Sequence, residues 1–502
     1  MNLASAFAES AQRHAQKTAL FWGDAEYSYE QLHRQTLAVA AHLATVLAVK
    51  PGNRVGLLLK NRPEFIPALF GVLNAGAVVV PINSFLKLDE ISFILNDAGI
   101  EVLITENAYA ELLPRLAETR PGLKSLQIEL LPSLAEPSHD DFHPVNRAVS
   151  DLAVLIYTSG TTGRPKGAML SNGNLLHNVA SCREVLAAID HDRFVLLLPM
   201  FHSFMLCVCI LLPLLVGGSI VLIKSLHPAK NIFQEILAHQ PTILPAIPQF
   251  FRTLIDTPNA AALPLRLCVS GAAPLPGQVL ADFSRKFPFP LLEGYGLSEA
   301  SPVVAINPLK GPWKAGSIGV PIPNVEVSVQ NDAGDPLPAG QVGEICVRGG
   351  NVMSGYWNQP KETAGAIRDG WLLTGDIGHQ DADGYIYITD RKKDMLLVNG
   401  INVYPREIEE IMYQFPGVKE AAVVGQPDPR RGEQPVAFLA PMEGMTVDET
   451  KLLSFVRERL ADYKVPRKVV VLPALPRNAA GKILKTTLRT MGPARSDSVP
   501  KE

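Results

Sequence analysis

The stretch Phe194–Ile223, FVLLLPMFHSFMLCVCILLPLLVGGSIVLI, decides between a membrane-spanning helix and a buried sheet core. It contains no formally charged residue, and by its length it qualifies as a membrane span. Residues that break a continuous helix interrupt it, namely Pro199, Pro213 and Gly217-Gly218. We therefore predict, in order, a strand over 194–198, a loop that holds His202, a helix over 204–216 and a strand over 219–223. Interior strands of a parallel sheet are apolar on both faces, so this stretch indicates a soluble core.

Strand-like and helix-like segments alternate on both sides of this stretch. The predicted strands include Val55–Leu59, Ala77–Val80, Val102–Ile104, Leu152–Tyr157, Leu265–Val269 and Pro290–Glu293. Such alternation is typical of doubly wound α/β sheets. From about residue 316 the pattern changes to short strands and Gly/Pro turns, and after Arg391 a smaller α+β unit begins. We predict an N-terminal domain over 1–391 with a small β-barrel-like part, and a mobile C-terminal domain over 392–502.

The polar residues between 131 and 150 predict a connector, and the residues after Leu488 predict a disordered tail. A helix over 451–460 is expected in the C-terminal unit, together with a helix that has Pro405 in its first turn.

The composition excludes several classes of protein. The chain has 502 residues, of which 47% are hydrophobic and 19% charged, so global disorder is excluded. Lys and Arg total 46 against 49 Asp and Glu, which gives a net charge of −3 and argues against nucleic-acid binding. The five cysteines stand mostly in apolar runs, and the start of the chain lacks a secretory pattern. Both features predict a cytoplasmic protein with reduced thiols.

The segment Tyr157–Gly167, YTSGTTGRPKG, follows an apolar strand and carries the strongest chemical signal. Its glycines and hydroxyl residues offer backbone N–H groups and hydroxyls around Lys166, which suits a polyphosphate. It is not a P-loop, because Gly167 rather than Ser or Thr follows the lysine. By chemistry alone, a flexible surface turn is the alternative.

The chain resembles the adenylate-forming enzymes, which comprise acyl-CoA synthetases, nonribosomal adenylation domains and luciferases. Five segments carry this resemblance in the family's order: Tyr157–Gly167, Glu293–Glu299 (EGYGLSE), Trp371–Asp376 (WLLTGD), Asp390–Asp394 (DRKKD) with Val398–Gly400, and Pro476–Lys482 (PRNAAGK). Each segment is weak alone, and the shared order over 157–482 gives the resemblance its weight.

The resemblance implies a set of site residues. Lys482, His202 and Lys166 would be catalytic. ATP would be bound by Thr158, Ser159, Gly160, Thr161, Thr162, Gly163, Lys166, Gly271, Ala272, Ala273, Glu293, Gly294, Tyr295, Gly296, Ser298, Asp376, Arg391 and Lys482. Mg²⁺ would be held by Thr158 and Glu299, the domains would pivot at Lys393, and Gly400 would flank the CoA channel.

Several of these residues have individual roles in the resemblance. Tyr295 would stack on adenine, Gly271–Ala273 would run along the adenine edge, and Asp376 would hold the ribose hydroxyls. Ser298 stands where the family more often has Thr. Taken singly, Glu299 could be a charge at a helix N-terminus, Asp376 a turn residue and Lys482 a solvated loop lysine.

The resemblance also implies the reaction: a carboxylic acid and ATP give acyl-AMP and pyrophosphate, and CoA then displaces AMP. No Lys or Arg occurs in 204–215, 242–251 or 300–304, so a second carboxylate on the acid has no obvious partner. The acetate-specific branch has an indole where Gly296 stands, so we expect a larger acid. The run Asp390–Pro405 looks most like medium- and long-chain fatty acyl-CoA synthetases, whereas coumarate-type ligases often have a lysine where Leu397 stands.

Other functions remain open at this point. They are an arylic acid–CoA ligase, an acyl-AMP ligase that feeds a carrier protein, and a non-catalytic nucleotide-binding or membrane-anchored protein. The expected partners are the acid, ATP and CoA, without nucleic acid and without an integral membrane span. Peripheral contact with a membrane and a homodimeric assembly also remain open.

Overall fold

The fold is described from a computed structural model, over residues 1–131, 142–159, 165–226, 228, 230–258, 260–428, 430–477 and 482–491. Its α-helices are α1 Leu3–Arg13, α2 Tyr29–Thr45, α3 Phe65–Asn74, α4 Leu88–Asp97, α5 Leu113–Thr119, α6 Asn172–Val185, α7 Leu212–Val216, α8 Lys230–His239, α9 Pro248–Asp256, α10 Gly277–Lys286, α11 Pro360–Ala366, α12 Pro405–Tyr413, α13 Glu449–Arg457 and α14 Lys485–Thr490.

The strands of the N-terminal part are β1 Thr18–Trp22, β2 Ala25–Ser28, β3 Arg54–Leu58, β4 Val78–Pro81, β5 Val102–Thr105, β6 Lys124–Gln127, β7 Leu152–Ser159, β8 Pro165–Ser171, β9 Arg193–Leu196, β10 Ser219–Leu222, β11 Ile243–Ala246, β12 Leu267–Ser270, β13 Leu291–Gly296, β14 Val303–Ile306 and β15 Val320–Pro321. The remaining strands are β16 Val325–Gln330, β17 Gly343–Gly349, β18 Ile367–Arg368, β19 Trp371–Gln380, β20 Ile386–Arg391, β21 Leu396–Val398, β22 Ile401–Val403, β23 Val418–Asp428, β24 Gly432–Pro441 and β25 Lys468–Val471.

Two large, mostly parallel sheets form the N-terminal part. One has the order β6-β5-β3-β4-β7-β8, in which only β8 is antiparallel to its neighbour. The other has the order β15-β14-β13-β12-β11-β9-β10-β1-β2, with a parallel core from β13 to β1. Helices cover these sheets closely: a Cβ added to Gly71 of α3 would lie 2.5 Å from the Val39 side chain of α2. The prediction of doubly wound sheets is confirmed.

The uncharged stretch folds as a buried core. β9 and β10 are parallel neighbours, with Arg193 opposite Ser219. Between them, a π-helical turn, Met205–Leu211, leads directly into α7, and all of its side chains are buried. Among the described residues, no helix has the length and apolarity needed to cross a bilayer. The predicted order of strand, loop, helix and strand is therefore correct, although the strand ends differ by one or two residues.

Two five-stranded sheets complete the molecule. β16, β17, β18, β19 and β20 form the half-barrel that the change in sequence pattern predicts after residue 316. β21 to β25 form the sheet of the C-terminal part, against which α12 packs through Ile408 and Met412. The predicted helix over 451–460 is observed as α13, and α14 continues two residues beyond Leu488. Residues 132–141 of the predicted connector and residues 492–502 of the predicted tail lie outside the described part.

Candidate functional site

The carboxyl ends of the parallel strands bring several predicted residues to one edge. In parallel sheets this edge is where ligands bind, because the loops that follow the strands meet there. The loop after β9 carries His202, Gly271–Ala273 directly follow β12, and β13 itself ends with Tyr295 and Gly296. This placement of distant segments agrees with the predicted site.

The phosphate loop joins two antiparallel strands. β7 and β8 pair so that Thr158 lies opposite Lys166. The four predicted loop residues Gly160, Thr161, Thr162 and Gly163, and the side chain of Ser159, lie outside the described part. At the base of the loop, the Tyr157 hydroxyl donates a 2.5 Å hydrogen bond to Asp97, which fixes the end of β7.

Glu299 lies beside the start of this loop. Its Oε1 accepts hydrogen bonds from the Thr158 hydroxyl at 3.3 Å and from the Tyr356 hydroxyl at 2.9 Å. Both donors contact the same oxygen. Carboxylate oxygen together with a hydroxyl suits Mg²⁺, which prefers oxygen ligands and binds through few protein groups. The predicted Mg²⁺ pair is therefore brought together with a suitable donor set.

Asp376 connects three predicted ATP residues. It is almost fully buried, its Oδ1 lies 2.8 Å from Nε of Arg391, and its Oδ2 accepts a 2.5 Å hydrogen bond from the Tyr295 hydroxyl. Burial and the Asp376 carboxylate raise the pKa of Tyr295, so its hydroxyl stays protonated and donates. Burial is the largest single influence on Arg391 and opposes its charge, but Asp376, Tyr295, Asp394 and Glu299 together outweigh it and raise the pKa of Arg391. The geometry fixes the Tyr295 ring at its hydroxyl end.

Glu293 supports the adenine-side turn from behind. Its carboxylate is buried and accepts a 2.9 Å hydrogen bond from the Leu275 amide, so it orders the turn that begins at Gly271. Arg406 of α12 approaches it, with Nη2 3.9 Å from Oε1. Burial raises the pKa of Glu293 to about 7, and Arg406 limits that rise. Glu293 thus acts through the turn that it orders.

The strip that follows β12 is shaped by close backbone contacts. Ala272 has a φ of 65°, in the left-handed region, and Gly271 lies against the Phe204 ring, where a Cβ would come within 3.1 Å. Ala273 and Gly294 complete the predicted adenine segment on neighbouring strand ends. Gly271 therefore allows the adenine side to approach the loop that carries His202.

Gly296 has a structural reason that the sequence did not suggest. The expectation was that a missing side chain here goes with an acid larger than acetate. A Cβ at this position would lie 2.2 Å from the Pro302 carbonyl oxygen and 3.1 Å from the Val303 Cα. The close approach of β13 and β14 therefore also requires a glycine, and the inference on acid size stays a prediction. A Trp there would first disturb this backbone.

His202 is held in a neutral form. Its Nδ1 accepts a 3.3 Å hydrogen bond from the Phe204 amide, so Nε2 carries the proton and is a donor. Burial lowers the pKa of the ring. Next to it, the Ser203 hydroxyl lies 3.0 Å from the Ser298 hydroxyl, so Ser298 connects the His202 loop with the segment of Glu299.

The sequence did not single out Asn61, which fixes this loop from the other large sheet. It follows β3, donates to the Leu198 carbonyl at 2.9 Å and accepts from the Met200 amide at 2.9 Å. An amide with both ends used in this way acts as a rigid brace between the sheets. No local pattern distinguishes it from a surface asparagine.

Lys482 of the C-terminal part reaches the same region. Its side chain is partly exposed, yet the crowding around its ammonium group and the charges of Arg391 and Lys393 lower its pKa to about 8, against the attraction of Asp376. This electrostatic coupling places the predicted catalytic lysine beside the Asp376 cluster. Residues 478–481 of its loop lie outside the described part.

Gly400 lies elsewhere. It has a φ of 77° at the turn between β21 and β22, and a Cβ there would meet no atom within 4 Å. Its neighbours Leu397 and Ile401 are half exposed. In this arrangement the predicted CoA-side hairpin therefore faces outward.

Ion pairs bracket the predicted pivot at Lys393. Lys392 pairs with Asp332 at 2.8 Å and with Glu344 at 3.1 Å, both in the half-barrel. Asp394 pairs at 2.6 Å with Arg489 of α14, in the C-terminal part. One neighbour of Lys393 is thus tied to each part of the chain.

Comparison with known proteins gives matches along nearly the whole chain. The profile described as AMP-binding enzyme matches residues 7–357, and that of the AMP-binding enzyme C-terminal domain matches residues 407–482. Feruloyl-CoA synthase from an Amycolatopsis species is 37% identical over 94% of this chain and 95% of its own. The long-chain-fatty-acid–CoA ligase of Bacillus subtilis is 34% identical, over 97% and 94% of the two chains.

A solved structure matches equally broadly. ATP-bound MatB from Rhodopseudomonas palustris, 31% identical, superposes with a TM-score of 0.90 over 98% of this chain and 99% of its own. Apo MatB gives a TM-score of 0.79 over the same shares. The present structure therefore superposes better on the ATP-bound form of this relative than on its apo form.

Proposed function

Because the chain belongs to the AMP-binding enzyme family, we propose that it converts a medium- or long-chain fatty acid into its CoA thioester. In general terms, the enzyme is an acid–CoA ligase that uses ATP, Mg²⁺ and CoA. In the first step a carboxylate oxygen attacks the α-phosphorus of ATP, and the bond to pyrophosphate breaks. In the second step the CoA thiolate attacks the acyl carbonyl, and AMP leaves with the electron pair of the broken C–O bond.

The first step brings an anionic acid towards a polyanion, so the site needs fixed cations and donors where charge develops. We propose that Lys482 stabilises the negative charge that develops between the carboxylate and the α-phosphate. The Nε2–H of His202 would donate a hydrogen bond to the carboxylate. Asp376 and Arg391 hold the ribose side, with Tyr295 on adenine. Glu299 and Thr158 would hold Mg²⁺, which neutralises phosphate charge when bound.

The second step needs a different surface over the same site, so we assign a rotation of residues 392–502 about Lys393. The ion pairs of Lys392 and Asp394 support this position, because they leave the residue between them to absorb the change in φ and ψ. The inward Lys482 and outward Gly400 fit the adenylating orientation. Rotation would exchange them and bring Gly400 to the CoA channel, where a missing side chain leaves room.

The observation that carries the choice of a fatty acid is the aromatic surface beside His202. Phe201 is the neighbour of His202 in the chain. The Phe85 ring packs edge-to-face against the Phe201 ring, with 6.2 Å between the ring centres, while Phe85 itself is 66% exposed. An exposed large aromatic residue beside a buried histidine suits an apolar tail that leaves the site. The segments 204–215 and 300–304 add no Lys or Arg that would recognise a second anionic group.

The test is a panel of acids from C2 to C18, with benzoate, coumarate and ferulate, assayed for pyrophosphate release and for acyl-CoA. The highest kcat/KM is expected on an acid of C8 or longer. Phe85→Ala should raise the KM of that acid about tenfold, as for the loss of a buried aromatic contact of ~1.4 kcal/mol. Ile189→Ala, another exposed apolar residue, is the matched control and should leave this KM unchanged. A preference for C2 or C3 acids would contradict the proposal.

An arylic acid is the second candidate, and the 37% identity to feruloyl-CoA synthase favours it. Ferulate exceeding every fatty acid in kcat/KM would establish that alternative. Acyl-AMP that accumulates and reacts with a carrier protein, but not with CoA, would contradict the choice of acceptor. A cytoplasmic location completes the proposal and agrees with the five buried, unpaired cysteines.

A further inference from the structure

The Lys166 ammonium group is buried together with a counter-ion that the proposed mechanism does not use. Only 10% of the Lys166 side chain is exposed, and Nζ forms an ion pair with Oε2 of Glu362 in α11. The same nitrogen lies 5.3 Å from the centre of the Tyr356 ring. A buried ammonium without a partner is strongly unfavourable, so Glu362 supplies the charge that stabilises Lys166 in this state.

The two partners differ in their access to water. The Glu362 side chain is 44% exposed, whereas only 10% of the Lys166 side chain is exposed. A half-exposed carboxylate can turn to solvent at small cost, because water replaces its lost contacts. Lys166 is the less mobile partner, since its side chain is only 10% exposed and its backbone is paired in β8 opposite Thr158. Any exchange of partners therefore replaces Glu362 and leaves Lys166 in place.

The pair adjoins the proposed metal site. Tyr356, whose ring faces Lys166, donates its hydroxyl to Glu299, and Thr158 donates to the same oxygen. A polyphosphate held through Mg²⁺ at Glu299 and Thr158 would lie next to the Lys166 ammonium and would repel the Glu362 carboxylate. Two anions of this kind compete for one buried cation.

We propose that Glu362 is a placeholder counter-ion, which neutralises Lys166 in the nucleotide-free enzyme and is displaced by the polyphosphate of ATP. Glu362 is thus a positioning residue that sets ATP affinity. This inference rests on the proposed function, because it takes Lys166, which the family resemblance implies to be catalytic, as a cation that binds the polyphosphate of ATP in that reaction. It adds a step in which the enzyme exchanges an internal anion for the substrate.

The direction of the effect follows from linkage. Removing the Glu362 charge destabilises the free enzyme, in which the pair exists, and leaves the ATP complex, in which it is broken, almost unaffected. ATP affinity should therefore increase while the stability of the free enzyme decreases. A residue that merely supports the fold would weaken binding or leave it unchanged.

The test is titration calorimetry of MgATP, without acid so that no turnover occurs, on wild type, Glu362→Asp and Glu362→Gln. Glu362→Gln should lower the Kd for ATP about fivefold, which corresponds to ~1 kcal/mol. It should also lower the melting temperature of the free enzyme. Glu362→Asp, which keeps the charge on a shorter side chain, should give an intermediate Kd.

Glu407→Gln is the matched control. Glu407 pairs with Lys464 at 2.7 Å in the C-terminal part, and their exposed fractions, 37% and 19%, are similarly unequal. This variant should lose stability without any change in ATP affinity. In Lys166→Met the further change Glu362→Gln should have no effect on the Kd, because the cation for which the two anions compete is gone.

An unchanged or higher Kd in Glu362→Gln would overturn the inference and make Glu362 a fixed support of Lys166. The proposed function fails separately, if wild type releases no pyrophosphate with any acid of the panel. Normal pyrophosphate release with an unchanged Kd in Glu362→Gln would refute the placeholder alone.

Discussion

Adenylate formation should decrease above pH 8, because the group that loses its proton there is Lys482. Desolvation of its ammonium group by the surrounding atoms, together with the positive charges of Arg391 and Lys393, lowers the pKa of this partly exposed lysine to about 8. The charged form is the one that stabilises the transition state, so activity is present below pH 8 and is lost as the pH rises through it. An ordinary lysine titrates near 10.4 and would keep its charge over this range.

The magnitude follows from the pKa. With a value of about 8, roughly nine tenths of the enzyme carries a protonated Lys482 at pH 7, and about one tenth does so at pH 9. The rate of pyrophosphate release should therefore fall about tenfold between these values. With an unshifted pKa the fall over the same interval would be less than about 10%.

The assay is pyrophosphate release at ATP and acid concentrations well below their KM values, from pH 6 to 10, because kcat/KM reports the pKa values of the free enzyme. Lys482→Arg keeps its charge over this whole range. Whatever its absolute rate, that rate should not decrease up to pH 10. Lys482→Ala should be at least ~10²-fold slower in this half-reaction and nearly normal in the reaction of supplied acyl-AMP with CoA. A wild-type rate that stays constant to pH 9.5, or a Lys482→Arg profile with the same decrease, would refute the reasoning.

Three further predictions concern conformation and support. Lys393→Pro should leave pyrophosphate release near normal and lower acyl-CoA formation ~10²-fold, because proline fixes φ at the pivot; equal loss in both half-reactions, with a lower melting temperature, would contradict it. Arg406→Gln should raise the KM for ATP about tenfold near pH 7, since Glu293 without its cation stays protonated and holds its turn less firmly; a normal KM would exclude this support. Asn61→Ala should lower kcat/KM for the acid about tenfold, because His202 is displaced, and should leave the KM for ATP unchanged. Steady-state kinetics with each substrate varied in turn measure both; an unchanged kcat/KM for the acid together with a raised KM for ATP would contradict this role.

The sequence predicted those parts of the site that have a local pattern. The order of the motifs brought Tyr295, Asp376 and Arg391 into one site, and the structure has them in direct contact. Glu362 and Asn61 were missed, because the partner of each is far away in the chain and a single pair leaves no periodic trace. These contacts depend on the packing of whole elements.

The second reason for Gly296 was missed for a similar cause. The glycine was interpreted from the ligand side alone, whereas the backbone that also requires it lies just before and at the start of the neighbouring strand. The ends of strands such as β9 and β13 also differ by one to three residues from the predictions, because the hydrogen bonds of the neighbouring strand decide where pairing stops. Periodicity along one segment contains no information about its neighbour.

The three ion pairs around Lys393 have a consequence for salt. They hold both sides of a short joint, and Lys392 and Asp332 are exposed enough for dissolved ions to screen their pair, whereas Glu344, the second partner of Lys392, is largely buried. Raising the ionic strength should weaken the Lys392–Asp332 pair first, since Asp394 and Arg489 are less exposed. The C-terminal part would then sample a wider range of orientations relative to the half-barrel. This change should occur at ionic strengths that leave the protein folded.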